Sequence, residues 1–201
     1  MWYNACRGKG ALYMRDELEN AWTEKISKLL RKELDNEKYE ITCFERVPYS
    51  VNIKGYEDNK EELEVMKYEV DLLIKEKRDN YSIPRLIIES KYRKITTHDV
   101  ITYNNKAKAH KSLYSGLRYG LMIGNNVEKN ISPRIVNHSS EFDFMFAFSS
   151  DMPTNDEWKI FVDIVKRNLD VSNKLENIIN DRRKRDKKRY YCIEKKVVFY
   201  E

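Results

Sequence analysis

Cysteine, glycine and proline are scarce in this chain of 201 residues, which contains only three, six and four of them. The three cysteines are far apart and none belongs to a Cys-x-x-Cys pair, so neither a disulfide framework nor a zinc site is indicated. Cys6 and Cys43 have no activating partner in the sequence, which argues against a thiol nucleophile. The small number of glycines and prolines predicts long, uninterrupted helices and strands.

Long apolar runs are missing as well. No segment approaches the ~20 consecutive apolar residues of a membrane span, so no membrane partner is expected. The N-terminus carries Arg7 and Lys9 without the apolar core of a signal peptide. A Gly-rich phosphate-binding loop is also absent, so no nucleotide cofactor is expected. Together with the cysteine usage, these absences favour a cytoplasmic protein.

Charged residues, in contrast, are abundant. Asp, Glu, Lys and Arg make up 35% of the chain, and the formal net charge is +5. Acids and bases are mixed along most of the sequence, and a modest positive charge permits a polyanionic partner without establishing one. The segment 182–189 is almost entirely basic and includes Arg182 and Arg183. It is interpreted either as a solvated segment or as a clamp on nucleic-acid phosphates.

Hydrophobic spacing predicts the order of the secondary-structure elements. Helices are expected at 15–34, 98–113 and about 155–179. Strands are expected at 39–51, 68–76, 84–92, 119–123 and 142–148, with an edge strand at 196–200. The charged stretch 54–67 is expected to be a loop. This order predicts an α/β sandwich around a mixed sheet, in a single domain that spans residues 1–201.

Polar residues mark the starts of two of these helices. Thr96 or Thr97 is expected to cap the second helix. The sequence Thr154-Asn155-Asp156-Glu157 is a capping box that opens the third, because the Thr hydroxyl and the Glu carboxylate each satisfy a free N–H group.

Two neighbouring predicted strands each contain an acid inside or at the end of an apolar run. Residues 68–74 are Tyr-Glu-Val-Asp-Leu-Leu-Ile, and residues 84–92 are Pro-Arg-Leu-Ile-Ile-Glu-Ser-Lys-Tyr. A charge within a buried strand is costly unless it is paired or holds a metal ion. Strand alternation places Glu89 and Lys91 on one face and Ser90 on the other. Since adjacent strands lie ~4.8 Å apart, Asp71 and Glu89 can both reach one ion.

The acid-x-Lys pattern alone carries no weight, because it occurs five times in so charged a chain. Only the pair Glu89 and Lys91 directly follows a β-type apolar run, and only this pair has a second acid-bearing strand a short turn upstream. A cluster of structural ion pairs is the alternative interpretation. Two buried acids with one base are unbalanced, however, and a cation explains the excess negative charge better.

The residue types in this pattern suit phosphodiester hydrolysis. Mg²⁺ is typically held by one or two carboxylates together with waters and substrate phosphate. Asp71 and Glu89 are therefore the expected ligands of Mg²⁺, with Mn²⁺ as a substitute, and the backbone carbonyl of Ser90 is a further candidate. Hydrolysis also needs a nucleophilic water and stabilisation of developing charge. Lys91 is expected to orient or deprotonate that water.

These strands resemble those of the PD-(D/E)XK nuclease superfamily, whose core is a restriction-endonuclease-like mixed sheet flanked by helices. The helix beginning near His98 and the strand at 118–123 follow in the expected α-β-β-β-α-β order. The resemblance covers roughly residues 15–125, the expected catalytic core, and implies that Asp71, Glu89 and Lys91 are catalytic. The leading proline of the motif is missing, since Glu-Val precedes Asp71.

The resemblance also implies functional roles for residues outside the two strands. Many members carry an acid on the first helix, and the candidate is Glu19, at the edge of the apolar stripe, whereas Glu17 lies on the opposite side. A solvated surface glutamate is the alternative for either residue. In related folds the helix at 98–113 lies beside the nucleic acid. Its basic residues are interpreted as nucleic-acid contacts or as a solvated face, and they are Lys106, Lys108 and Lys111.

The resemblance favours a Mg²⁺-dependent endonuclease acting on double-stranded DNA, most like a type II restriction endonuclease. One site cuts one strand, so a homodimer is expected to cut both. Residues 126–201 would then supply dimer contacts, sequence recognition or both. Two alternatives stay open. One is a repair, recombination or junction-resolving nuclease of the same fold, and the other is a non-catalytic nucleic-acid-binding or assembly module whose acids are structural.

Overall fold

The structure, a computed structural model, describes residues 5–126 and 132–180, with side chains from residue 17 onward. The helices of this part of the chain are α1 (Ala5–Glu33), α2 (Thr97–Leu113), α3 (Pro133–Asn137) and α4 (Asn155–Asn180). Its strands are β1 (Tyr39–Glu57), β2 (Lys60–Lys77), β3 (Ser82–Tyr92), β4 (Arg118–Gly124) and β5 (Phe144–Ala147). The predicted edge strand at 196–200 and the basic segment with Arg182 and Arg183 lie outside the described residues.

The five strands form one mixed sheet in the order β1-β2-β3-β4-β5. The first three strands pair antiparallel, whereas β4 pairs parallel with both β3 and β5. Parallel neighbours need a crossover connection, and α2 and α3 lie in the two crossovers. The predicted mixed α/β sheet with an α-β-β-β-α-β order is therefore confirmed.

Helices cover both faces of the sheet. Helices α1 and α4 bury one apolar cluster against it, and α2 and α3 bury a second on the other side. The helical residues at the centre of the first cluster are Trp22, Ile26, Leu30, Phe161, Val165 and Leu169. Because full burial of a large apolar side chain contributes about 1.5–3 kcal/mol, both layers are firmly held. Strand β3 lies between them, and its residues 85–90 are all buried.

A buried guanidinium ties α4 to the sheet. Arg85 on β3 is 1% exposed and forms ion pairs with Glu76 on β2 and Glu176 on α4. Arg78, which is partly exposed, pairs with the same two carboxylates at 3.3 and 3.6 Å. A charge buried this deeply is tolerated only when its partners compensate it, so these contacts fix how α4 sits on the strands.

The largest departure from the predicted elements is at 54–67, where the expectation of a loop is wrong. Strands β1 and β2 continue through this stretch and remain paired as far as the turn at Asp58 and Asn59. These two residues have φ values of 49° and 61°, the left-handed conformation that a type I′ hairpin turn requires. Leu63 and Val65 alternate with charged residues, as in a strand with one apolar face. So many charged residues surround them that this alternation was not recognised in the sequence.

Several element bounds also differ from the prediction. Helix α1 begins at Ala5 rather than at residue 15, because glycines at 8 and 10 weaken the helical pattern without breaking it. Strand β5 covers four residues rather than 142–148. The short helix α3 was not predicted. No described helix is both long and apolar enough to cross a membrane.

The predicted helix starts are present. Thr96, rather than Thr97, caps α2, and its side chain and that of Asp99 form a reciprocal capping box. At the start of α4, the N–H of Thr154 donates to Glu157 and the N–H of Glu157 donates to the Thr154 hydroxyl, at 2.9 and 3.3 Å. The capping box expected there is therefore confirmed.

Candidate active site

Asp71 and Glu89 lie where strands β2 and β3 separate. The last pair in the ladder between these strands is Leu72 with Ile88, so each acid is one residue beyond it. The backbone N–H of Ser90 donates to Asp71 Oδ2 at 2.7 Å. A buried N–H needs a partner, and this one draws the Asp71 carboxylate onto β3. The charges of Asp71 and Glu89 therefore act on each other.

The Glu89 carboxylate is fully buried, and its two oxygens have different surroundings. Its Oε1 accepts a 2.6 Å hydrogen bond from the Tyr119 phenol and lies 3.6 Å from the ammonium of Lys106. Its Oε2 has no hydrogen-bond partner among the described residues. Leaving a buried carboxylate oxygen unpaired costs free energy. The same oxygen is available to a cation.

Burial, and after it the charge of Asp71, raise the pKa of Glu89 from its usual 4.5 to about 8. The ammonium of Lys106 and the hydrogen bond from Tyr119 act in the opposite direction. A divalent cation beside the two carboxylates would favour their ionised forms. Without a cation, the site therefore contains a carboxylate that is difficult to ionise.

Lys91 and Glu19 form an ion pair near the end of β3. Lys91 Nζ lies 2.8 Å from Glu19 Oε1, and the N–H of Tyr92 donates to Glu19 Oε2 at 3.1 Å. Burial raises the pKa of Glu19, and the hydrogen bond and charge of Lys91 oppose the rise. Glu19 is 8% exposed, whereas Glu17 is exposed. The alternative of a solvated surface glutamate therefore applies to Glu17 but not to Glu19.

Helix α1 is anchored to β3 one turn beyond Glu19. The hydroxyl oxygens of Thr23 and Ser90 lie 2.6 Å apart, and both residues are buried. Residues four apart share a helix face, so Thr23 and Glu19 both face this strand. Ser90 thus points toward α1 while Glu89 contacts α2, which is the alternation expected from the sequence.

Tyr103 on α2 lies between two lysines. Its ring centre is 5.5 Å from Lys91 Nζ and 5.3 Å from Lys106 Nζ, and contacts of this kind stabilise an ammonium by about 0.5–2 kcal/mol. Burial and the neighbouring acids, Asp71 first among them, raise the pKa of Tyr103. The phenol therefore stays neutral, and its ring makes a cation–π contact with each of the two ammonium groups.

Five charged side chains converge here: Glu19, Asp71, Glu89, Lys91 and Lys106. Among the described residues, no three His, Cys, Asp or Glu side chains form a group able to hold a metal ion by themselves. Mg²⁺ needs only one or two carboxylates, because waters and substrate phosphate complete its ligands. The unpaired Oε2 of Glu89 beside Asp71 fits such an ion.

The three lysines of α2 that were predicted to contact nucleic acid lie in different surroundings. Lys106 lies within the acidic site. Lys111 pairs with Asp143 at 3.1 Å, and Lys108 is exposed. Their contact with nucleic acid stays a prediction, but only Lys108 among them is directed fully to solvent.

Two members of the site were not identified from the sequence. Tyr119 on β4 is aligned with Ile87 in the parallel pair, and side chains two residues apart on β3 share a face, so Tyr119 lies beside Glu89. The register between parallel strands leaves no local sequence signal. Thr23 was also missed, although its position four residues after Glu19 on the same helix face is a usable signal.

Comparison with solved structures identifies a similar fold, whereas comparison with protein families and curated proteins finds no match. No protein-family model matches this chain, and neither does any curated protein. Among solved structures, the crystal structure of a pre-specific complex of the restriction endonuclease BsaWI with DNA is similar, with a TM-score of 0.51 and 13% sequence identity. The match covers 90% of this chain and 72% of that chain. This chain therefore has a restriction-endonuclease-like fold.

Proposed function

We propose that this protein is a divalent-cation-dependent endonuclease of the PD-(D/E)XK type that hydrolyses phosphodiester bonds in DNA. The observation that carries the proposal is the unpaired Oε2 of the fully buried Glu89 beside Asp71. A lysine two residues further along β3 is paired with a third acid. A buried carboxylate oxygen that accepts no hydrogen bond is unusual in a purely structural ion-pair cluster.

Asp71 and Glu89 are the residues that would hold Mg²⁺, or Mn²⁺ in its place, with the carbonyl of Ser90 as a further candidate ligand. When bound, the ion supplies Lewis-acid activation of the phosphoryl oxygen and lowers the pKa of a bound water. Tyr119 and the N–H of Ser90 orient the two carboxylates through hydrogen bonds of 2.6 and 2.7 Å. Such contacts behind metal ligands typically affect affinity 10–100-fold.

Lys91 orients the attacking water as an ammonium, and it could accept a proton from that water only as a neutral amine. Its ammonium is held at 2.8 Å by Glu19 and rests 5.5 Å from the ring centre of Tyr103, so its position is set from α1 and α2 together. Glu19 is thus a positioning acid. Lys106 brings a second positive charge to the place where negative charge develops on the phosphoryl oxygens.

Charge balance supports a phosphodiester as the reacting group. Three carboxylates and two ammonium groups sum to −1 when all are ionised. A divalent cation changes this to +1, which complements the single negative charge of a phosphodiester. Without the cation, the site has no net positive charge with which to attract the substrate.

Double-stranded DNA is the proposed substrate, and a type II restriction endonuclease the proposed form of the activity. The similar solved structure is a complex of a restriction endonuclease with DNA. The present chain carries no Gly-rich nucleotide-binding loop in its sequence, so cleavage without nucleotide hydrolysis is expected.

The test is incubation of the purified protein with supercoiled plasmid in Mg²⁺, in Mn²⁺ and in EDTA. Lys91→Ala is compared with Lys28→Ala, which removes the same charge from an exposed position on α1. We expect discrete fragments in Mg²⁺, none in EDTA, and a loss of about 1,000-fold or more in Lys91→Ala only.

Other outcomes discriminate between the alternatives. Nicking or a smear that Lys91→Ala also abolishes would favour a repair or junction-resolving nuclease, which branched DNA substrates would then identify. Absence of cleavage of plasmid, genomic and branched DNA in both cations would contradict the proposal. A binding or assembly module would then account for the fold.

A further inference from the structure

The outer half of the β1–β2 hairpin, residues 51–65, forms a two-stranded ribbon beyond the rest of the sheet. Strand β2 pairs with β3 only between residues 72 and 77. Within the described residues, the ribbon therefore has no third strand beside it. An isolated two-stranded hairpin is marginally stable in water unless a further layer covers one of its faces.

One face of this ribbon is apolar. Val51 lies opposite Val65, and Ile53 lies opposite Leu63. Residues directly opposite one another in an antiparallel pair project to the same face and contact each other. The four side chains are 43–57% exposed, so they form a continuous apolar strip that nothing in the described chain covers.

A β-bulge extends this strip toward the tip. The register shifts between Ile53 and Gly55, so that Tyr56 lies opposite Glu61. Glu61 is two residues before Leu63 and shares its face, and Tyr56 therefore joins the apolar strip with 70% of its surface exposed. Without the extra residue Tyr56 would lie on the other face. Bulges that redirect a side chain in this way are specific features of a strand.

The size of this apolar face is sufficient for an interface. Its five side chains, which are Val51, Ile53, Tyr56, Leu63 and Val65, present on the order of 500 Å² to solvent. Two such faces packed together would bury about 1,000 Å², the lower limit for a specific protein–protein contact. Apolar residues scattered singly over a surface need no partner, whereas a contiguous face of this size is comparable with the largest patch on a typical monomer and often has a function.

Charge argues against a polyanionic occupant of the face. Residues 51–65 contain five acids and two lysines, a net charge of −3. This charge repels the phosphates of nucleic acid and the headgroups of an anionic membrane. The same charge also opposes a second copy, so a contact between copies depends on the apolar area of the strip, whose cross-strand pairs match those of an identical strip. We propose that the apolar face of the ribbon packs against the same face of a second copy of this chain, across a two-fold axis.

The position of the ribbon supports the same occupant. Strand β1 is the edge of the sheet, and β2 has no second neighbour before residue 72 within the described residues, so a second copy can reach the ribbon. A two-fold contact on the ribbon leaves both candidate active sites, which lie at the other end of the hairpin around Asp71, outside the interface. The proposed dimer contact lies in residues 51–65, whereas the segment 126–201 was expected from the sequence to supply dimer contacts, sequence recognition or both.

The test is sedimentation of the full chain at up to about 50 µM, with variants of the ribbon. Ile53→Asp is compared with Asn52→Asp, which adds the same charge at the adjacent exposed position on the opposite face. We expect the parent protein and Asn52→Asp to sediment at twice the 24.2 kDa of one chain. Ile53→Asp should sediment as a monomer, with dimerisation weakened by about 100-fold or more.

Salt provides a second measurement. Because each ribbon carries a net charge of −3, added NaCl should screen the repulsion between two copies and strengthen the dimer. Far-UV circular dichroism spectra should be unchanged in both variants, since the mutated side chains are exposed, whereas the concentration dependence of Tm expected for a dimer should be lost only in Ile53→Asp. The readout involves no DNA, so its outcome is independent of whether the protein is a nuclease.

Three results would overturn this proposal. The first is a monomeric parent protein over the whole concentration range. The second is a dimer that survives Ile53→Asp. The third is a dimer that salt dissociates and that is lost when residues 181–201 are deleted, because the basic C-terminal segment would then be the partner of the acidic ribbon.

Discussion

The ammonium of Lys106 on α2 lies 3.6 Å from the carboxylate of the fully buried Glu89 on β3. A helix on one face of the sheet thereby supplies a positive charge directly beside the proposed cation site. This lysine both competes with a cation for Glu89 and adds positive charge where phosphoryl oxygens would become more negative.

Lys106→Met is expected to have opposite effects on cation binding and on catalysis. Removing the ammonium relieves its repulsion of the cation, so Mg²⁺ or Mn²⁺ should bind more tightly. The developing charge on the phosphoryl group loses a partner, so kcat should fall about 100-fold. Calorimetric titration with Mn²⁺ and single-turnover cleavage measure the two effects separately.

The matched control for this experiment is Lys28→Met, which removes an exposed ammonium on α1. It should change neither quantity by more than about 2-fold. If Lys106→Met weakened cation binding and left kcat unchanged, the lysine would be a structural partner of Glu89 rather than a member of the catalytic site.

The stability of the cation-free protein is expected to fall as pH rises from about 5 to 8. Glu89 ionises near pH 4.5 in the unfolded chain, but burial raises its pKa to about 8 in the folded protein. Between these values the folded state binds the additional proton, so each increase in pH favours unfolding. The loss should be on the order of a few kcal/mol.

Urea unfolding in EDTA at a series of pH values measures this dependence. Glu89→Gln keeps the shape of the side chain without its ionisation and should remove most of the slope. At pH 8, Mg²⁺ should stabilise the parent protein but not Glu89→Gln, because binding to the folded state alone raises stability. Equal slopes in the two proteins would contradict the role given to Glu89.

Much of the site follows from the sequence for identifiable physical reasons. Asp71 and Glu89 could be paired because each interrupts an apolar strand and a short turn separates the two strands. Glu19 could be identified only through the resemblance to a known superfamily, because no local sequence pattern relates a residue on the first helix to a strand about 70 residues later. Its burial and its contact with Lys91 depend on how α1 packs on the sheet.

Other features depend on tertiary structure that the sequence pattern does not contain. The rotation of α2 decides that Lys106 faces Glu89 while Lys108 faces solvent. The register between β3 and β4 decides that Tyr119 reaches the same carboxylate. The extension of the β1–β2 hairpin was missed because Leu63 and Val65 stand among so many charged residues that the alternation was hidden.

Loss of Arg85 should destabilise the fold far more than loss of Arg78, although both pair with Glu76 and Glu176. Arg85 is 1% exposed, whereas the side chain of Arg78 is 43% exposed. Arg85→Met should lower the free energy of unfolding by about 3 kcal/mol, because two carboxylates lose their buried partner. Arg78→Met should cost less than about 1 kcal/mol.

Chemical denaturation of the two variants at neutral pH measures the difference. Similar losses in both would show that the two guanidinium groups share the carboxylates equally. The experiment also reports how firmly α4 is tied to the sheet, since Glu176 is the residue of that helix in both ion pairs.

Disruption of the ribbon should change the products of cleavage without abolishing it, if the protein is both a nuclease and a dimer through residues 51–65. Two active sites in one complex cut both strands of a plasmid in one encounter. The Ile53→Asp monomer contains an intact site but cuts one strand at a time, so nicked circles should accumulate before linear DNA appears.

A time course of supercoiled, nicked and linear plasmid distinguishes these patterns. Asn52→Asp, on the opposite face of the ribbon, should linearise plasmid as the parent protein does. The rate at which Ile53→Asp makes the first nick should stay within about 3-fold of the parent rate per site, because Asp71, Glu89 and Lys91 lie at the other end of the hairpin and are untouched. If Ile53→Asp linearised plasmid directly, double-strand cleavage would not depend on the ribbon. If the variant neither nicked nor linearised plasmid, the ribbon would instead be needed for binding of DNA.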